Sequence, residues 1–310
     1  MKTEVTCYGI SCADVLLRGL DLQTPFTEER RLVEGIAMGV GGDATNQAMI
    51  LSRLGASVKL VSGVGTDDVG LFIRNTVAAA GVDVSCMARS QGPSVISVVV
   101  IDETGQRKII HAALPECTHY CPDLGAMEGA KIVSIGSIFH PPFDDVAQII
   151  RVARAAREQG SIVCADVIAR SGSHRVERIR EALPYIDYLF PNADEAEILT
   201  GKTEISEVAD AFLQYGVGNV VIKVGAEGCV VKNREGTYRF PAIGNRVVDT
   251  TGAGDNFAAG FMRALLEEND LAKCCEFAAG TAGIAISAVG ANTGVKSYQQ
   301  VRQFIAENRI

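Results

Sequence analysis

Apolar positions along the chain follow two rhythms. Short apolar runs at residues 4–10, 57–62, 131–135, 161–165, 187–190 and 219–224 each end at a turn signal, and most are followed by the three-to-four residue spacing of a helix. Such alternation predicts a mostly parallel sheet with helices on both faces, since each parallel connection needs a crossover that covers the sheet. Two stretches break the rhythm. Residues 15–40 and 95–112 alternate with period two and carry no helical pattern, the second with a hairpin around Asp102, Glu103, Thr104 and Gly105. They predict a small β lid inside one domain spanning residues 1–310.

In an open α/β sheet, ligands lie beyond the carboxyl ends of the strands. Asp14, Gly136 with Ser137, Asn192 and Gly225 each follow one of the predicted strands and are therefore expected at one crevice. Residues 249–256 read DTTGAGDN and run into an apolar-periodic stretch, so a glycine-rich turn opens a helix there. Gly252, Ala253 and Gly254 are small enough for a phosphate to reach the backbone, and the unpaired N–H groups of a helix start favour an anion. Asp255 would stand beside that anion hole, where a carboxylate suits proton abstraction from an attacking hydroxyl. A plain helix cap explains the same segment when it is taken alone.

Three further segments lie in order along the chain: GVGGDATN at 39–46, before a helical stretch ending at Gly55, PNADEAE at 191–197, and KVGAEG at 223–228. With DTTGAGDNFAAGF as the most specific part, the chain resembles the ribokinase-like (PfkB) family of carbohydrate and nucleoside kinases over essentially its whole length. The resemblance implies a ribokinase-like three-layer fold with a β lid, and ATP-dependent phosphorylation of a hydroxyl. It implies that Asp14, Gly41, Gly42, Asn46 and Ser137 bind the acceptor, with Asp255 as base. Lys223, Gly225 and Gly228 would line the ATP phosphates and adenosine, while Asn192 and Glu195 would share a water-coordinated Mg²⁺. A capping box accounts for that last spacing as well. Asp249 and Thr251, with backbone near Ala285, Ala288 and Gly290, resemble the family's monovalent-cation site, which makes K⁺ a candidate, and a homodimer through the lid is implied too. Three positions depart from the ribokinase pattern. Cys12 replaces Asn and Asp43 replaces Lys in the sugar site, which puts ribose itself in doubt; Gly294 replaces Ser, which weakens the expectation of cation dependence.

Composition narrows the class. With 47% hydrophobic and 21% charged residues the chain carries a large core, and a net charge of −8 without clustered Lys or Arg argues against a nucleic-acid surface. Glu4 interrupts the position where an export signal would have its apolar region, and the uncharged stretch 277–291 is too short to span a bilayer and reads as a buried helix. The nine cysteines form no Cys-x-x-Cys pair, which fits reduced thiols in a cytoplasmic protein. Cys117, His119 and Cys121 offer no fourth metal ligand.

Two lookalikes fail. AEILTGKT at 196–203 ends like a Walker loop but has Ala196 where the first Gly is required, and Gly201 reads as a helix C-cap. Gly39-x-Gly41-x-x-Ala44 lacks the acidic residue that a dinucleotide site places about 20 residues later. The expectation is an ATP- and Mg²⁺-dependent kinase acting on a primary hydroxyl of a small sugar or sugar derivative. A nucleoside kinase of the same fold is the nearest alternative. A non-catalytic sugar-binding regulator is a more distant one, because it would have no physical need for Asp255 beside the GAG turn.

Overall fold

The computed structural model describes residues 2–20, 32–101, 107–169, 175–244 and 246–308. Among them a nine-stranded sheet is built from β1 (Val5–Tyr8), β4 (Val58–Gly65), β5 (Met87–Ser90), β8 (Ile132–Ile138), β9 (Ile162–Val167), β10 (Tyr188–Leu189), β11 (Asn219–Lys223), β12 (Cys229–Lys232) and β13 (Thr237–Phe240). A separate four-stranded sheet takes β2 (Cys12–Arg18), β3 (Gly35–Gly41), β6 (Val95–Ile101) and β7 (Arg107–His111), in the order β3-β2-β6-β7. The large sheet runs β13-β12-β11-β10-β9-β8-β1-β4-β5 and is parallel from β11 to β5. All six predicted apolar runs fall in that parallel part. Missed by the sequence pattern are the short edge strand β5 and the antiparallel pair β12 and β13.

The parallel strands read as apolar runs because both their faces are covered. On β11, Val221 packs into one core cluster while Val220 and Ile222 pack into the other. Helices α1 (Asp43–Arg53), α2 (Asp68–Ala79), α6 (Ala253–Leu265), α7 (Leu271–Ala285) and α8 (Tyr298–Asn308) cover the first face. The other is covered by α3 (Val146–Glu158), α4 (Ala193–Thr200) and α5 (Ile205–Leu213). The helix expected over 277–291 is real but displaced: α7 ends at Ala285, and the chain then turns so that the Gly290 N–H reaches a carboxylate oxygen of Asp249 at 2.7 Å.

The lid is a sheet of its own, as the period-two stretches predict, although the 102–105 hairpin and residues 21–31 lie outside the described residues. Register fixes which side faces in. Asp14 pairs with Gly39 and Ser97, and Ser97 with His111, so these share one face. Along β3 that inward row is Gly35, Ala37, Gly39 and Gly41, whereas Ile36 and Met38 of the other row point outward and Val40, at the strand's end, is buried in the core. The strand therefore leaves space on the side toward the main sheet and carries its bulk outside.

Candidate active site

The helix starts differ in how they are closed. Helices α2, α3 and α7 are each capped by an Asp side chain, and α4 by a reciprocal capping box between Asn192 and Glu195. By contrast, α1 and α6 begin at Gly42 (φ 95°) and Gly252 (φ 72°) with no side-chain cap. Both glycines are forced. A Cβ on Gly252 would lie 2.6 Å from the Cβ of Ala291, and one on Gly42 would collide with the Ile10 carbonyl. Asp43 is the first residue of α1.

A cavity of about 780 Å³ opens between the lid and the carboxyl ends of the main strands. Asp14, Gly42, Asn46, Asn192, Glu195, Lys223, Gly225, Gly228 and the Gly252–Asp255 turn all line it, so the grouping argued from strand ends holds for most of the expected residues. Others sit behind its wall. Gly41 makes room for Asp14, whose carboxylate a side chain there would strike. Ser137, held at φ 64° where β8 and β9 slip in register, donates to Asp43 Oδ2 at 3.3 Å. Asp249 is fully buried: its Oδ1 accepts from the N–H and hydroxyl of Thr251 at 2.8 and 2.6 Å, and its Oδ2 from Gly290. Those donors tie the 249–251 turn to the segment after α7. A monovalent ion at Asp249, Thr251, Ala285, Ala288 and Gly290 would find about one of the four carboxylate lone-pair sites still open and would depend mainly on backbone carbonyls.

On the lid side, Asp14 is buried on β2, and the Cys12 thiol donates to its Oδ1 at 3.4 Å. Burial raises its proton affinity; the Cys12 hydrogen bond and Arg107 oppose that. Opposite lies Asp255 in the first turn of α6, where the Asn46 amide donates to its Oδ2 at 2.7 Å. Burial pushes the Asp255 carboxyl well above the usual range, reinforced by Asp43 and Asp166 and opposed by Asn46 and Lys223. Buried groups so perturbed cluster where proton transfer is done.

Asp166 is a site residue that sequence reading missed. It is the penultimate residue of β9, lines the cavity, and accepts from Lys223 Nζ at 3.2 and 3.1 Å through its two oxygens. The strand-end rule that grouped Asp14 and Asn192 applies equally to the carboxyl end of β9 and would have found it. Burial works against charge on Lys223, yet Asp166, Glu195 and Asp255 outweigh it and hold the ammonium above its ordinary pKa. The ammonium lies against the start of α6, for a Cβ on Gly254 would be 2.9 Å from Nζ. Arg107, on β7, is a second unanticipated lining residue.

Glu195 Oε2 accepts from the Asn192 N–H at 2.9 Å, and Asn192 Oδ1 from the Glu195 N–H at 2.8 Å, so the capping box read from the spacing is present. Burial, then Asp166 and Asp43, carry the Glu195 carboxyl up to about 8 against the pull of Lys223. Asp43 is raised to about 6 by burial and Asp166, with Lys223 and Ser137 opposing. Carboxylates crowded around one lysine hold their protons unless further positive charge comes near, a setting that suits a divalent cation.

An uncapped helix start beside a lysine and a buried carboxylate, under a lid bearing a second carboxylate, is an arrangement for moving a phosphoryl group onto a hydroxyl. Residues 2–297 match the model of the pfkB family of carbohydrate kinases. The chain belongs to that family. It is 28% identical over 272 residues to the ribokinase of Haemophilus influenzae, covering 86% of this chain and 87% of the relative. It is likewise 28% identical over 268 residues to a nucleoside kinase of Methanothermobacter thermautotrophicus, covering 86% and 85%. Among solved structures, Arabidopsis thaliana ribokinase complexed with ribose and ATP superposes with a TM-score of 0.82 at 26% identity, over 98% of this chain and 99% of that one. The protein is thus a ribokinase-like carbohydrate kinase, of a family whose members phosphorylate sugars or nucleosides and bind ATP.

Proposed function

We propose that this kinase transfers the terminal phosphoryl group of ATP to a primary hydroxyl of a small sugar or sugar derivative, with Asp255 as the general base. The observation that carries the reading is the position of Asp255: buried, in the first turn of an uncapped helix, between Asn46 on one side and the Lys223–Asp166 pair on the other. The acceptor lies against Asp14 and Asn46 under the lid, where carboxylate and amide groups can each meet hydroxyls. Asp255 Oδ takes the proton as the hydroxyl oxygen attacks phosphorus, and the N–H groups of the Gly252–Asp255 turn hold the phosphoryl oxygens. Lys223 adds positive charge at the same place. Asn192 and Glu195 would hold Mg²⁺ through water, and the ion supplies neutralisation of the charge that builds on the phosphates. A K⁺ ion beside Asp249 is a secondary proposal, resting on the buried turn that this carboxylate organises.

The lid supplies water exclusion. Its outer face exposes Ile36, Met38, Ile96 and Ile110, which are 70%, 62%, 46% and 54% exposed. Apolar surface of this kind is usually covered, and a second copy of the lid is the occupant we propose, giving a homodimer. Nine unpaired cysteines fit a reducing, cytoplasmic setting. Among the described residues no helix is long and apolar enough to cross a membrane.

A coupled ADP-release assay with Mg-ATP over ribose, fructose, tagatose, 2-keto-3-deoxygluconate and several nucleosides tests the reading. Turnover of a sugar, with Asp14→Ala raising acceptor KM strongly and ATP KM little, is the expected result. Preferential turnover of a nucleoside would move the protein to the alternative of the same fold. ATP binding without acceptor-dependent ADP release across the panel would leave a sugar-binding regulator.

A further inference from the structure

Asn292 lies in the segment after α7, is 8% exposed, and was not singled out by the sequence pattern. Its side-chain Nδ2 donates to the Val40 carbonyl of lid strand β3 at 2.9 Å and to Asn46 Oδ1, also at 2.9 Å. Its own carbonyl accepts from Arg53 Nη1, at the end of the helix that carries Asn46. This geometry has a fixed polarity. A backbone carbonyl can only accept, so the Asn292 amide must present its N–H₂ to Val40; the remaining proton then faces Asn46 and demands an oxygen there. Asn46 is left with its N–H₂ toward Asp255, to which it donates at 2.7 Å.

We propose that Asn292 is a positioning residue: by fixing the orientation of the Asn46 amide it keeps a donor against the Asp255 carboxylate and so favours the anionic form of the base. The inference rests on the reading of Asp255 as the base. If the Asn46 amide turned over, its oxygen would face the carboxylate. Two acceptors in contact repel unless a proton lies between them, and a protonated Asp255 cannot accept the acceptor's proton. Burial first, then Asp43 on α1 and Asp166 on β9, favour its protonation, and only Asn46 and Lys223 on β11 oppose it, so the Asn46 donor is one of two groups on the side of the anion.

The test is a ¹³C carboxyl NMR titration of Asp255 in the full-length protein without nucleotide, comparing wild type with Asn292→Ala. The midpoint is expected to move about half a unit or more to higher pH, as for loss of a hydrogen bond to the charged form. The acid limb of kcat/KM moves with it, while rates converge on the alkaline side; a merely structural defect would depress the rate at every pH. Asn46→Ala and the Asn46→Ala/Asn292→Ala double variant should titrate alike. A folded Asn292→Ala with an unchanged Asp255 midpoint overturns the proposal. Should that variant not fold, the wild type still decides: the Asn46 side-chain amide resonances must follow the Asp255 titration, and their indifference to it overturns the proposal equally. If Asp255→Asn keeps its activity while the midpoint does move, the base assignment fails and the positioning relation stands.

Discussion

Two helix starts face the same crevice and differ in one respect. At α4, Asn192 and Glu195 close a capping box, so the helix satisfies its own first N–H groups. At α6, Gly252 offers no side chain, and the neighbouring carboxylate of Asp255 is held by Asn46 from another helix. Both starts have an acidic residue in the first turn and both are expected beside phosphates. On the proposed reading, an acidic first turn serves stability where its side chain returns to its own backbone, and chemistry where a distant residue holds it away.

The largest expected break in that comparison is Asp255→Asn. It keeps shape but removes proton affinity, so kcat falls about 10²–10⁴-fold, the range for a lost general base, while ATP still binds. Retention of more than about a tenth of the wild-type kcat with a good acceptor would remove Asp255 from the base role. Next comes Gly252→Ala, which meets both a left-handed backbone and the wall at Ala291 and should cost about 1–3 kcal/mol together with most of the activity. The control is Gly201→Ala at the far end of α4, also left-handed at φ 69° but with open space around it; it should lower Tm and leave kcat alone. If the two variants behave alike, the anion hole has no special standing.

At α4 the effects should be on stability. Asn192→Ala removes one half of the box and should cost about 1 kcal/mol, read as a lower denaturant midpoint. Glu195→Gln keeps the box, since Gln serves at that position, and removes a carboxyl whose folded pKa of about 8 lies above its ordinary 4.5. Between those values the folded state holds a proton that the unfolded chain has released, so wild-type stability falls as pH rises from about 4.5 to about 8. Glu195→Gln should therefore raise Tm at pH 8 and change it little at pH 4.5; an equal shift at both would show that this carboxyl is not perturbed. Smallest is the ion effect. Rates in K⁺ should exceed those in Na⁺ modestly at equal ionic strength, and indistinguishable rates would leave the Asp249 carboxylate as a purely structural tie.

What the sequence alone determined follows from short-range rules. Periodicity located six of the seven parallel strands and both halves of the lid, because a strand covered on two faces and a strand covered on one leave different residue patterns. Strand-end position brought Asp14, Asn192 and Gly225 to one crevice, and small residues at Gly252 and Gly254 marked the uncapped helix start proposed as the anion hole. Only the tertiary structure decided which polar groups touch. Asn46 and Asp255 are 209 residues apart, and Asn46 and Asn292 246 apart, so no local pattern could pair them. Lys223 and Asp166 meet because parallel neighbours across β10 end at the same height, and Asp249 is sealed because the chain leaves α7 at Ala285. Burial then sets their proton affinities, and burial is a property of everything packed around a residue, which its own stretch of sequence does not contain.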